Sequence, residues 1–210
     1  MSKIGHTNNE LKIGSQVMAL NHQDGYDELI RKFEERYPQY VIAAKDVVDG
    51  EADAEKYDVL FIRTTREKAN HKYKSMRIGE DRFVAIVSAN HPLAQEKRIN
   101  PADLEDDLFI LTPEGTWLNR KVRGICNGYG FTPQVAYLGY RGIALFSRIS
   151  HGEAVTISLE KTAQHYLSDE VCSIPLDVDM PVYVEMIWDP AIQFAAKEKF
   201  INFVRRFVEK

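Results

Sequence analysis

Leu108-Phe109-Ile110-Leu111-Thr112-Pro113-Glu114-Gly115-Thr116-Trp117-Leu118 is the stretch on which the reading of this chain turns. Leu108 to Leu111 form a short apolar run that reads as a strand. Pro113 and Gly115 turn the chain, and a helix starts at about Trp117. Thr116 is a good N-cap, because its hydroxyl can accept a bond from a backbone N–H of the first turn. A helix N-terminus holds unsatisfied N–H donors and a partial positive charge. At the carboxyl end of a strand, an α/β protein tends to hold a small, often anionic ligand there. Taken alone, the plainer reading carries more weight: an ordinary capped helix after an ordinary strand.

Working outward, the helix after Thr116 runs to about Asn127 and is ended by Gly128 and Gly130. Before the strand, Asn100-Pro101-Ala102-Asp103-Leu104 predicts a short helical turn with Asn100 as cap and Pro101 first. Arg82 to Ser88 is an apolar strand, followed by a turn at Asn90-His91-Pro92-Leu93-Ala94. Nearer the start, Leu11 to Ser15 begins a strand, and Gln16 to Gly25 is a polar loop. Asp27 to Tyr37 is an amphipathic helix with Leu29, Ile30, Phe33 and Tyr37 on one face, stopped by Pro38. Tyr40 to Ala44 and Asp58 to Arg63 are further strands, the second apolar enough for burial on both faces. Arg63 to Arg77 is rich in basic residues and reads as a solvated surface segment.

Past the opening stretch, strands are expected at Val135–Leu138, Ala154–Leu159, Val171–Leu176 and Val182–Trp188. Helices are expected at Ile143–Ser150, Lys161–Leu167 and Pro190–Glu209. Strands alternating with helices imply an open, mostly parallel sheet covered on both sides. The turns after several strands end in small or polar residues: Ser15, Thr64-Thr65, Thr112 to Thr116 and Gly139 to Gly142.

The chain has 210 residues, enough for one large domain or two small ones. With 44% hydrophobic and 28% charged residues it can bury a real core. Its net charge of -4 argues against holding nucleic acid electrostatically. No apolar run is long enough to span a bilayer. Met1 to Glu10 is polar, reads as an unstructured lead and lacks the apolar core of a signal peptide, so residence in the cytoplasm is expected. Cys126 and Cys172 read as two free thiols.

No motif for covalent chemistry stands out. There is no Gly-x-Ser-x-Gly elbow, no Walker loop and no Gly-x-Gly-x-x-Gly. The six histidines are scattered without zinc spacing. Neither a cofactor nor a metal is expected. What remains is a binding module that uses hydroxyls and backbone donors.

Several stretches in order carry a resemblance. Leu11-Lys12-Ile13-Gly14-Ser15 precedes a helix holding Phe33-Glu34-Glu35-Arg36-Tyr37-Pro38, then come Tyr57-Asp58-Val59-Leu60-Phe61-Ile62, His91-Pro92-Leu93-Ala94, Asp103-Leu104 and Phe109-Ile110-Leu111. In this order and spacing the chain resembles the effector-binding domain of LysR-type transcriptional regulators over nearly all of Leu11 to Phe207. Glu153-Ala154 stands where that family usually has an apolar-Gly pair after Gly152.

The resemblance implies an α/β fold of two Rossmann-like lobes joined by two crossover strands, of periplasmic binding protein type 2-like architecture. Lobe I would be 11–83 plus 183–210 and lobe II 84–182, with crossovers at Phe83–Val87 and Val182–Met186. Residues 1–10 would be a disordered lead. The family's N-terminal winged helix-turn-helix has no room before Leu11, so it is expected to be absent from this chain and to belong to a longer protein.

A small-molecule effector, expected to be a small organic acid, would lie between the lobes and shift their arrangement and that of a homodimer or homotetramer. DNA would be touched only through the missing domain, and a membrane not at all. Carried over by position, Ser15, Gln16 and Val17 with Thr64 and Thr65 would face the ligand from lobe I. Thr116 and Trp117 would do so from lobe II, with Gly139 and Arg141 beside them. Ser15, Thr64 and Thr116 offer hydroxyls, Trp117 a flat apolar wall, and Arg63 or Arg141 a bidentate partner for a carboxylate. Helix Asp27–Tyr37 would pack on a partner subunit. A free-standing solute-binding protein, or an enzyme on the same fold, are the competing readings. The gene sequence upstream separates the first of these from a regulator.

Overall fold

The computed structural model describes residues 9–16, 25–47, 55–65, 72–139, 143–164 and 167–209. The chain divides into two compact units, Met1–Glu80 with Val182–Lys210, and Asp81–Pro181.

The first unit holds strands β1 (Glu10–Ser15), β2 (Val41–Asp46), β3 (Val59–Thr64) and β4 (Lys74–Asp81). Helix α1 (Tyr26–Arg36) lies between β1 and β2 in sequence. The second unit begins with β5 (Phe83–Ser88), which reaches, through a 3-10 turn at Pro101–Leu104, β6 (Leu108–Leu111), α2 (Trp117–Gly128) and β7 (Gln134–Leu138). It continues with α3 (Ile143–Ser150), β8 (Thr156–Leu159), α4 (Glu160–Ala163) and β9 (Val171–Pro175). Then β10 (Val182–Trp188) and α5 (Ala195–Val208) return to the first unit.

In the first unit the sheet order is β2-β1-β3-β10-β4. β1 pairs in parallel with β2 and β3, whereas β10 runs antiparallel to β3. Alternation along each strand sorts the faces. Leu11 and Ile13 of β1, Val59 and Phe61 of β3, and Val184 and Met186 of β10 share one core with Leu29 and Phe33 of α1 and Phe200, Ile201 and Val204 of α5. Phe33 is its aromatic centre, edge-on to Phe200 at 5.0 Å and to Phe203 at 5.4 Å. The opposite face carries a smaller cluster of Val47, Leu60 and Ile187. Gly14 fits there because a Cβ would stand 2.7 Å from Leu60 Cδ1 and 2.9 Å from Val47 Cγ2.

In the second unit β5 is flanked by β8 and β9, both antiparallel to it, while β6 and β7 pair in parallel. An isolated bridge from Phe109 to Val155 links β6 to the start of β8. Val84 and Ile86 of β5 pack with Ile110, Ile149, Ala154, Ala163 and Val171. The His91-Pro92-Leu93-Ala94 stretch is a side-chain-closed turn. His91 Nδ1 accepts from the Leu93 amide at 3.2 Å, and Nε2 lies 3.2 Å from Asp107 Oδ1.

Several expectations change. The five-stranded sheet is mixed because β10 runs against β3, and in the three-stranded sheet β5 is antiparallel to both neighbours, so the expected predominance of parallel pairs is lost. Glu10, assigned to the lead, is the first residue of β1. The basic stretch ends in strand β4, an edge strand in which Ile78 is buried and most other positions are half-buried or exposed. The final helix starts at Ala195 rather than Pro190, after an extended Phe194. Helix α4 closes at Ala163, short of Leu167.

Candidate functional site

In the first unit, β1 and β3 are parallel neighbours, so their carboxyl ends lie at one end of the sheet. Ser15 closes β1, is buried, and stands opposite both Asp46 of β2 and Phe61 of β3. The Gln16 amide donates to the Phe61 carbonyl at 2.9 Å, extending the pairing one residue further. The Gln16 carbonyl in turn accepts a 2.7 Å bond from Arg63 Nη1. The guanidinium thus holds the first residue after β1, and Thr64 and Thr65 follow it, half-buried, at the end of β3. The structure brings Ser15, Gln16, Arg63, Thr64 and Thr65 to one end of one sheet. Val17 lies outside the described residues.

In the second unit, the carboxyl ends of β6 and β7 are also together, because these strands are parallel. The Gly139 amide donates to the Leu111 carbonyl at 2.9 Å, which places Gly139 beside the turn that follows β6. Thr116 caps α2: its hydroxyl accepts from the Asn119 amide at 3.3 Å. The same hydroxyl donates to the Pro113 carbonyl at 2.8 Å and lies 2.7 Å from the Thr112 hydroxyl. Asn119 completes the knot. Its side-chain amide donates to the Thr112 carbonyl at 2.6 Å, and its oxygen accepts from Arg123 Nε at 3.0 Å. The Thr116 side chain is therefore engaged in shaping the turn, and the first residues of α2 are buried or half-buried.

Trp117 is half-buried and lies nearly parallel to the Phe83 ring, 6.1 Å away and tilted by 12°. The Lys121 ammonium stands 5.8 Å from the Trp117 ring centroid. The structure groups Thr112, Thr116, Trp117 and Gly139; Arg141 lies outside the described residues.

Sequence reasoning missed three residues. Asn119 is 3% exposed and locks the turn, and a polar residue on the inner face of a helix was its signal. Tyr26 starts α1 and is 5% exposed, and Glu185 on β10 is 3% exposed. Among the described residues, Tyr26 Oη and Glu185 Oε2 are buried without a hydrogen-bond partner. Burial pushes the Glu185 carboxyl above the usual carboxylate range, against the opposing pull of the Arg77 guanidinium. Arg77 itself lies 3.6 Å from the centroid of the Tyr183 ring.

Among the described residues, no three His, Cys, Asp or Glu side chains cluster so as to hold a metal ion. None of the described helices is long and apolar enough to cross a membrane.

Residues 7–209 match the family model described as LysR substrate binding domain. Among curated relatives, the transcriptional dual regulator GltC of Bacillus subtilis (strain 168) is 33% identical over 97 residues, 46% of this chain and 32% of that protein. The chain spans well under two thirds of the curated relatives it matches. Among solved structures, the Synechocystis PCC6803 CcmR regulatory domain in complex with 2-PG aligns with a TM-score of 0.79 at 14% identity, covering 96% of this chain and 98% of that one. The BenM effector binding domain with its effector benzoate aligns with a TM-score of 0.75 at 19% identity, covering 95% of this chain and 92% of that one. At these identities the likeness to the solved structures is one of fold.

Proposed function

The chain belongs to the LysR substrate-binding domain family, and from that premise we propose that it senses a small organic acid for a transcription regulator. The observation that carries this is Arg63. Its guanidinium, tied to the Gln16 carbonyl at 2.7 Å, sits at the carboxyl ends of a parallel strand pair, beside Ser15, Thr64 and Thr65. A cation among hydroxyls and strand-end amides suits a carboxylate. The turn from Thr112 to Trp117, with the α2 N-terminus and Gly139, is a second place proposed for effector contact, through backbone donors, since the Thr116 hydroxyl is engaged within its own turn. Arg141 and Val17 join these sets by their places in the sequence. Benzoate, the effector named for the BenM domain, is a carboxylate and supports an acid.

Binding, with no catalytic step, is the proposed role: among the described residues, the hydrogen bonds at neither set join a nucleophile to a histidine base. No cofactor is needed for it. The proposed site units are 11–83 with 183–210, and 84–182. DNA contact is proposed to come from a winged helix-turn-helix outside this chain, since the net charge of -4 gives the sensor no hold on phosphates. Assembly as a homodimer or homotetramer, with α1 facing a partner subunit, and a cytoplasmic setting complete the proposal.

A thermal-shift screen of small organic acids tests it. An acid present at about 100 times its dissociation constant should stabilise the fold by roughly 2.7 kcal/mol. Arg63→Ala should abolish that gain. A screen in which amines or neutral sugars stabilise the protein and acids do not would overturn the proposal.

A further inference from the structure

Tyr26 is the first residue of α1, following Gly25, which caps the helix without a side-chain bond. Its ring meets Phe61 edge to face, centroids 5.3 Å apart. Phe61 is the strand partner of Ser15, and Ser15 is also the partner of Asp46. The phenol pKa is pushed up by burial first, then by the carboxylates of Asp46 and Asp27. Through Phe61 the ring is packed at the end of the sheet where Ser15 and Asp46 are paired. Tyr26 is 5% exposed, and its hydroxyl is buried and meets no hydrogen-bond partner. Buried hydroxyls almost always have a partner, so one without marks a place where another molecule supplies it.

We propose that Tyr26 is a binding residue that donates its hydroxyl proton to an uncharged oxygen of the effector, a hydroxyl or carbonyl group, and so selects hydroxy- or keto-acids over plain acids. The inference rests on the organic-acid reading above and sharpens it. Two features decide the acceptor. Asp27 is the next residue of α1 and Asp46 is the strand partner of Ser15, so carboxylates already stand near this end of the sheet and disfavour another one there. Arg63, at the same end of the same sheet, is the place for the carboxylate instead. The effector then carries its charge at Arg63 and a neutral oxygen at Tyr26. The raised phenol pKa keeps the proton on Tyr26, so the residue offers a donor throughout the physiological range. An acid carrying a neutral oxygen there gains a hydrogen bond that the plain acid cannot make, which favours it over its analogue.

The test uses the full 210-residue chain and its Tyr26→Phe variant, which removes one oxygen and keeps the ring. The probes are matched pairs: propionate and lactate, succinate and malate, benzoate and 4-hydroxybenzoate. Calorimetry should show wild type binding the hydroxylated member of at least one pair about ten-fold or more tightly than its partner. In Tyr26→Phe that preference should collapse, with affinity for the plain acid unchanged. Without any probe, Tyr26→Phe should melt at or above the wild-type temperature, since no internal hydrogen bond is lost. A lower melting temperature for the unliganded variant means the hydroxyl has an internal partner, and overturns the inference. So does a preference for the hydroxylated acid that survives in the variant, or wild-type binding of plain acids alone; both leave the organic-acid reading standing. If wild type binds none of the six, the organic-acid reading fails and takes this inference with it.

Discussion

Arg63 Nη1 stands 2.7 Å from the Gln16 carbonyl oxygen, so the end of β3 holds the first residue beyond β1. A charge-assisted bond of this kind contributes more than a neutral one. Arg63→Ala should lower the unfolding free energy by about 1–2 kcal/mol in urea titrations. Arg63→Lys should recover part of the loss, since an ammonium keeps the charge without the fork of donors. Equal stability of Arg63→Ala and wild type would show that the contact does not hold the strand end.

Thr116 serves the turn after β6 through three bonds from one hydroxyl. Thr116→Ala should cost about 1 kcal/mol, the usual loss of an N-cap. Thr116→Ser should keep most of it, because the hydroxyl is retained. Chemical denaturation of both variants measures this. If serine behaves like alanine, the methyl packing matters and the hydrogen bonds do not.

Glu185 is a buried carboxyl whose pKa is raised by burial. The folded state therefore holds its proton more tightly than the unfolded chain does. Stability from this group is present below the unfolded pKa and is lost as pH rises through the higher folded value. Glu185→Gln stays neutral at every pH. Its stability relative to wild type should rise between mildly acidic and neutral pH. A stability difference that stays flat across that range would refute the assignment.

Cys126 is buried and its thiol is pushed up to about 11. Cys172 is half-buried, with burial raising its thiol as well. The thiolate is the reactive form, so both should react slowly in the native protein, and Cys172 first. Iodoacetamide at about pH 8 followed by peptide mass spectrometry reads the order. Cys126 alkylated as fast as Cys172 would contradict the packing around α2.

Much of the fold was legible because period and punctuation agree. The face of α1, the apolar runs of β3 and β5, the Asn100 turn and the Thr116 cap each follow from residues close together in sequence. Strand β4 was hidden by its basic residues, because an edge strand needs only one partly buried face and Met76 and Ile78 alone carry it. The direction of β5 and β10 was equally hidden, since an apolar run reads the same whether its neighbours are parallel or antiparallel.

The same division runs through the candidate site. The sequence by itself determined that Ser15, Arg63 and Thr64 stand at strand ends and that Thr116 caps a helix, because strand length and turn residues are local properties. It also determined the family, through the order of many short motifs. Only the tertiary structure decided that Arg63 spends a donor on Gln16, that the Thr116 hydroxyl is occupied within its own turn, and that Tyr26 Oη and Glu185 Oε2 are buried without a hydrogen-bond partner. Burial and hydrogen bonding depend on atoms brought together from distant parts of the chain, and no local pattern encodes that distance.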